Sequence, residues 1–109
     1  MAYFIVRVEL HEISPTQKPT WYDYERLHKA MQKHNYFRVI KSDDGKWYHM
    51  PPATYSAWSN TATRDQILQE VKAIVQTVWT KAGQLVIEGS SNWIGLVPAS
   101  AQDVQRLAS

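Results

Sequence analysis

Hydrophobic and polar residues alternate at the start of the chain. From Tyr3 to Leu10, Phe4, Val6, Val8 and Leu10 fall on one side and Tyr3, Ile5, Arg7 and Glu9 on the other, the pattern of a strand with one buried and one half-wet face. His11 to Pro19 has two prolines and no period, so it reads as a crossing loop. Over Trp21 to Asn35 the spacing changes to three and four. Tyr24, Leu27 and Met31, with His34 as a candidate continuation, make a stripe behind a Thr20 cap, with Glu25, Lys29, Gln32 and Lys33 away from it, which predicts a helix. Phe37 to Lys41 and Lys46 to Met50 read as two short strands around Ser42-Asp43-Asp44-Gly45, a hairpin turn signal, and Pro51-Pro52 ends the pair. Ala53 to Ala62 reads as a polar connection. Thr63 with Gln66 forms a capping box for a second helix. Its broad apolar face runs through Ile67, Leu68, Val71, Ile74, Val75, Val78, Trp79 and Ala82 to a stop at Gly83, about 18–20 residues in all. Leu85 to Glu88 and Trp93 to Val97 read as a second hairpin closed by Pro98, and Ala99 to Ser109 as a frayed end or a short helical turn.

The resulting order, strand, helix, strand, strand, helix, strand, with an extra C-terminal strand, predicts an α+β fold. It is the ferredoxin-like βαββαβ arrangement, an antiparallel sheet with two helices on one face. One domain over residues 1–98 and a tail over 99–109 are expected. The uncovered sheet face would expose aromatic residues, and a homodimer is the simplest cover for it.

Composition narrows the functional classes. At 44% hydrophobic and 20% charged residues the chain falls in the globular range. No apolar run is long enough to cross a bilayer and no signal peptide stands out, so no membrane association is expected. The absence of cysteine removes disulfides, thiol nucleophiles and thiolate metal sites and fits a reducing, cytoplasmic setting. With four glycines and no Walker, Rossmann or nucleophile-elbow pattern, no nucleotide cofactor is expected.

The net charge of +2 hides a local concentration. Arg26, Lys29, Lys33, Arg38, Lys41 and Lys46 face only Asp43 and Asp44 within one segment, while the rest of the chain is slightly acidic. Arg26, Lys29 and Lys33 share one helix flank, a stripe able to track a phosphate backbone or to serve simply as a solvated face. His28 and His34 are six residues apart, wrong for chelation from one helix, so no metal motif is present. His11 follows the first strand beside Glu12 and is an acid–base candidate if the fold brings it near His28. Trp47, Tyr48, Tyr55 and Trp58 surround the Pro-Pro corner, able to stack bases or to anchor an interface.

Tyr3 to Glu9, Glu25 to Met31 and the run from Asp44 to Tyr55 (DGKWYHMPPATY) together resemble the GhoS-type family, whose named member is an endoribonuclease antitoxin. The resemblance implies a ferredoxin-like fold similar to the small nuclease subunit of CRISPR adaptation complexes, a tendency to dimerise, and cleavage of a toxin messenger RNA. It places Glu9 where nuclease relatives carry an aspartate able to hold a divalent metal. It also sets Arg26 and His28 where similar proteins carry basic residues, with His28 as a candidate general base. The expectation is therefore an RNA-binding protein, a weak endoribonuclease acting as an antitoxin, with Glu9, His28 and His11 as catalytic candidates and Arg26, Lys29, Lys33 and Arg38 on RNA. The alternative is a non-catalytic dimeric protein-interaction module.

Overall fold

In the computed structural model, which describes residues 2–89, 93 and 95–108, the alternation at the start becomes the central strand. Strand β1 (Ala2–Leu10) buries Phe4, Val6, Val8 and Leu10 almost completely and leaves Tyr3, Arg7 and Glu9 exposed. Helix α1 (Trp21–Lys33) begins at a full capping box, in which the Thr20 hydroxyl accepts from the Asp23 amide and the Asp23 carboxylate accepts from the Thr20 amide at 2.8 Å. Its Leu27 and Met31 are fully buried, in the cluster that also holds the inward side chains of β1. Burial of such a side chain stabilises the fold by roughly 1.5–3 kcal/mol.

Strands β2 (Val39–Lys41) and β3 (Trp47–His49) form the expected hairpin, and Gly45, at φ 86°, supplies the left-handed turn residue. The hairpin is a separate two-stranded sheet. Residues expected to be a polar connection are instead strand β4 (Thr54–Ser59), which pairs antiparallel with β1. The reason is a period of two hidden by small polar residues: Tyr55 and Ala57 enter the core, while Ser56 and Trp58 turn away. The hairpin stops at His49, just before the two prolines, as expected, and β4 beyond them belongs to the other sheet. Beyond them Ala53, at φ 53°, accepts a hydrogen bond from the Val8 amide at 3.0 Å.

Helix α2 (Arg64–Gln76) has the expected start, with Thr63 and Gln66 in a capping box, but it stops well before Gly83. Thr77 closes it, its hydroxyl donating to the Ile74 carbonyl at 2.6 Å, and Ala82 and Gly83 open the edge strand β5 (Ala82–Glu88) instead. Trp79 lies past the helix end, half-buried against the core, with its indole N–H donating to the His11 carbonyl at 2.8 Å. The main sheet has the order β4-β1-β5, all antiparallel. Both long helices contribute to the cluster on one face of it.

The extra C-terminal strand expected over Trp93 to Val97 does not form among the described residues. Val97, Pro98 and Ala99 run beside β3 through one isolated bridge, Tyr48 to Pro98, flanked by hydrogen bonds from the His49 amide to the Val97 carbonyl and from the Ala99 amide to the Trp47 carbonyl. Residues 90–92 and 94 of that expected hairpin lie outside the described residues. The chain then forms a third helix, α3 (Ala101–Leu107), capped by Ser100 and Asp103 and fastened by buried Leu107 and by Gln32, whose amide donates to the Arg106 carbonyl at 2.8 Å. Replacing Ser100 with alanine removes that cap. Hydrogen exchange should then show the α3 amides opening faster while the melting temperature of the main fold changes little. The whole is a mixed α+β structure of three helices and antiparallel sheets among the described residues.

Candidate functional site

The spacing that buries Leu27 and Met31 turns Arg26, Lys29 and Lys33 toward α2. With His34 they line an open cleft of about 400 Å³ whose other wall is Ile74, Thr77 and Val78 at the end of α2. The lining contains no carboxylate. Arg26 is engaged on one side, with its guanidinium 3.6 Å from Asp23, whereas no ion pair holds Lys29 or Lys33 among the described residues. Two ammonium groups and one braced guanidinium thus share one concave surface, which suits a ligand carrying more than one negative charge.

The next flank of α1 carries different chemistry. His28 Nδ1 lies 2.6 Å from the Tyr55 hydroxyl, and the imidazole also stands beside the ring of Tyr24. Burial lowers the His28 pKa from 6.5 to about 4, helped by the positive charge of Arg38 and opposed by Glu25, so the ring is neutral at pH 7. The Tyr55 hydroxyl is pushed upward from its ordinary value, chiefly by burial. Arg38 Nε is buried and has no hydrogen-bond partner among the described residues. Arg38 therefore stands with His28 and not with the stripe of Arg26, Lys29 and Lys33.

The three catalytic candidates do not gather. Glu9 points to the open face of the sheet, where its carboxylate lies 3.6 Å from His11 Nδ1. His28 is bonded to Tyr55, which pairs with Val6 on the covered face. The one link to the end of β1 passes through Tyr24, whose hydroxyl accepts from the Leu10 amide at 3.2 Å. Among the described residues no three histidine, aspartate or glutamate side chains are grouped to hold a metal ion. The four corner aromatics also separate. Tyr55 is in the core, Trp58 is on the open sheet face, and Trp47 and Tyr48 face a cleft beside α3, with Lys41 Nζ 5.9 Å from the Trp47 ring.

Sequence reasoning did not assign Tyr24 and Tyr55 to His28, nor Tyr3 and Trp58 to one another. The second pair had a usable signal in the alternation of residues 54–59. The first did not, because Tyr55 reaches His28 only through the pairing of β4 with β1. On the far side, His49 Nε2 sits 3.1 Å from Asp103, whose carboxyl is held at about 2 by the Ser100 amide first and then by His49. This contact fastens α3 to β3.

No protein-family model matches the chain, and neither a curated protein nor a solved structure matches it. No helix among the described residues is long and apolar enough to cross a membrane.

Proposed function

We propose that this protein binds RNA, with the phosphate backbone held along the cleft between α1 and α2. The observation that carries the reading is the convergence of Arg26, Lys29 and Lys33 on one carboxylate-free concave surface. Geometry supports a polyanion, and the resemblance to GhoS-type antitoxins is what selects RNA, with a toxin messenger the first sequence to test. A cysteine-free chain of this kind is suited to the cytoplasm. The ferredoxin-like reading is supported with β4, not β3, as the third strand of the repeat: Phe37, just before β2, bridges to Ser56 on the outer edge of β4. A weak ribonuclease activity would use His28, whose neutral imidazole stands next to Arg38, before Glu9 on the opposite face.

The test is fluorescence anisotropy with unrelated single-stranded RNAs across a salt series. Parent affinity should fall steeply with salt. Arg26→Ala and Lys29→Ala should each weaken binding to every sequence alike and lower the salt slope by about one. Stability should change by no more than about 1 kcal/mol, since these charges are exposed. Lack of binding by the parent near about 50 mM salt, or variants that bind as the parent does, removes the proposal. Cleavage assayed in parallel with His28→Asn and Glu9→Gln, with and without EDTA, separates chemistry from binding and reports on any metal at Glu9.

A second reading, the dimeric interaction module, needs a different surface. The open face of the sheet favours it.

A further inference from the structure

Tyr55 is wholly buried, so the proton of its hydroxyl must find an acceptor inside the protein. Among the described residues its one hydrogen-bond partner is His28 Nδ1, at 2.6 Å. If Nδ1 carried a hydrogen and donated it to the Tyr55 oxygen, the hydroxyl proton would be left in the core with nothing to accept it. The neutral ring therefore accepts at Nδ1 and carries its hydrogen on Nε2. Nε2 is unpartnered among the described residues and is not sealed from solvent. Such a ring presents a donor and has no lone pair left with which to take a proton. The general-base role implied by the family resemblance does not fit it.

Arg38 supplies a second donor. The bridge between Phe37 and Ser56 sets the next residue, Arg38, across from Tyr55, and directly opposed residues of an antiparallel pair share a face. Arg38 Nε is buried without a hydrogen-bond partner among the described residues, which is rare for a charged donor. Glu25 stands three residues before His28 on α1, and its charge acts on both rings together with that of Arg38. No ion pair joins Glu25 to Arg38 among the described residues.

We propose that His28 and Arg38 form a binding site for a carboxylate, which accepts from His28 Nε2 and from the fork of the Arg38 guanidinium. Tyr55 is the positioning residue, because its proton is what makes His28 a donor. The charge of the ligand follows from Glu25, which offsets Arg38 and disfavours a second negative charge. Its shape follows from the buried Nε: a flat carboxylate can lie along the Nε edge of the fork, whereas a phosphodiester must bring two ester arms into a place closed to solvent. The site is separate from the cleft of Arg26, Lys29 and Lys33 and does not depend on RNA being held there.

Nuclear magnetic resonance of protein carrying 15N-labelled histidine tests both halves of the proposal. Correlations from the ring hydrogens should show Nε2 protonated and Nδ1 bare at neutral pH. Tyr55→Phe should let both tautomers appear while circular dichroism still shows a folded chain. Acetate added at constant ionic strength should shift the His28 ring signals to saturation, with a dissociation constant of about 1–10 mM. N-acetylglycine, which ends as a peptide chain ends, binds more tightly than acetate if the natural ligand is a peptide terminus and less tightly if it is a small free acid. Arg38→Lys keeps the charge, loses the fork and should weaken acetate at least tenfold. Inorganic phosphate as the dianion should bind at least tenfold more weakly than acetate, and Glu25→Gln should remove that discrimination. The proposal is overturned if the ring hydrogen sits on Nδ1, if Arg38→Lys leaves acetate binding intact, or if acetate up to about 100 mM leaves the ring signals unmoved. Dimethyl phosphate binding as tightly as acetate also overturns it, because the site is then one for a nucleic-acid backbone.

Discussion

Val75→Asp should unfold the protein or leave it barely stable. Val75 is completely buried, in the same cluster as Val71, Ile74, Leu27 and Met31, and no basic residue is buried as a whole among the described residues. An acid there must either remain charged without a counter-ion or take up a proton with its polar atoms unsatisfied. Either outcome, added to the lost packing of the valine, costs about 4 kcal/mol or more. A domain of this size holds only about 5–15 kcal/mol in total. Val97→Asp is the matched control, because Val97 is largely exposed and should move stability by no more than about 0.5 kcal/mol. Chemical denaturation of the two variants beside the parent gives the comparison. Equal midpoints for Val75→Asp and the parent are incompatible with α2 packing on the sheet through this face.

The second large effect is expected at the His28–Tyr55 contact. Tyr55→Phe leaves His28 Nδ1 without its 2.6 Å partner in a half-buried place, which should cost about 1–3 kcal/mol. The same site should make stability depend on pH with a defined sign. The folded pKa of His28 is lowered to about 4 from 6.5, so the unfolded chain takes up the proton first as the solution is acidified. The stabilising contribution of neutral His28 is therefore complete above pH 6.5 and is lost as the pH falls toward 4. For a ring this open to solvent the change should be about 1–2 kcal/mol, below what the full shift corresponds to. Nuclear magnetic resonance titration of the His28 ring reads the pKa directly. A titration midpoint at 6.5 would show that neither burial nor Arg38 acts on the ring.

What could be read from the sequence is what depends on neighbours within one or two turns. Tyr24, Leu27 and Met31 announce α1, and the same spacing by itself puts Arg26, Lys29 and Lys33 on one flank. The Thr20 cap and the Thr63–Gln66 capping box fix where the long helices start. The end of α2 was not legible, because the apolar period continues through Val78, Trp79 and Ala82. Thr77 closes the helix and the next residues serve a loop and a strand. Strand β4 was hidden for another reason. Its inward Tyr55 and Ala57 differ greatly in size and its outward Ser56 and Trp58 differ greatly in polarity, so the alternation is visible only when β1 is placed beside it. The His28 cluster depends on that pairing and shared its obscurity. The distance in sequence from His28 to Tyr55, 27 positions, is bridged by tertiary contacts alone.

The central strand is made before both of its neighbours and completed last. β1 pairs with β4 on one edge and with β5 on the other, so Ile5 must find Ser56 and Ile87. A ribosome adding about 5–20 residues each second emits the β1 segment well before β5 exists. Phe4, Val6 and Val8 then wait with no sheet to enter and no helix α2 to cover them. Contacts so distant in sequence close slowly once both ends are free. During that interval the newborn chain is a sticky, unpaired ribbon, the form on which chaperones act and from which aggregates grow. Moving β1 to follow β5 in a circularly permuted chain, with the new ends in the exposed Asp43–Asp44 turn, would make the β1–β5 pairing local and shorten the wait.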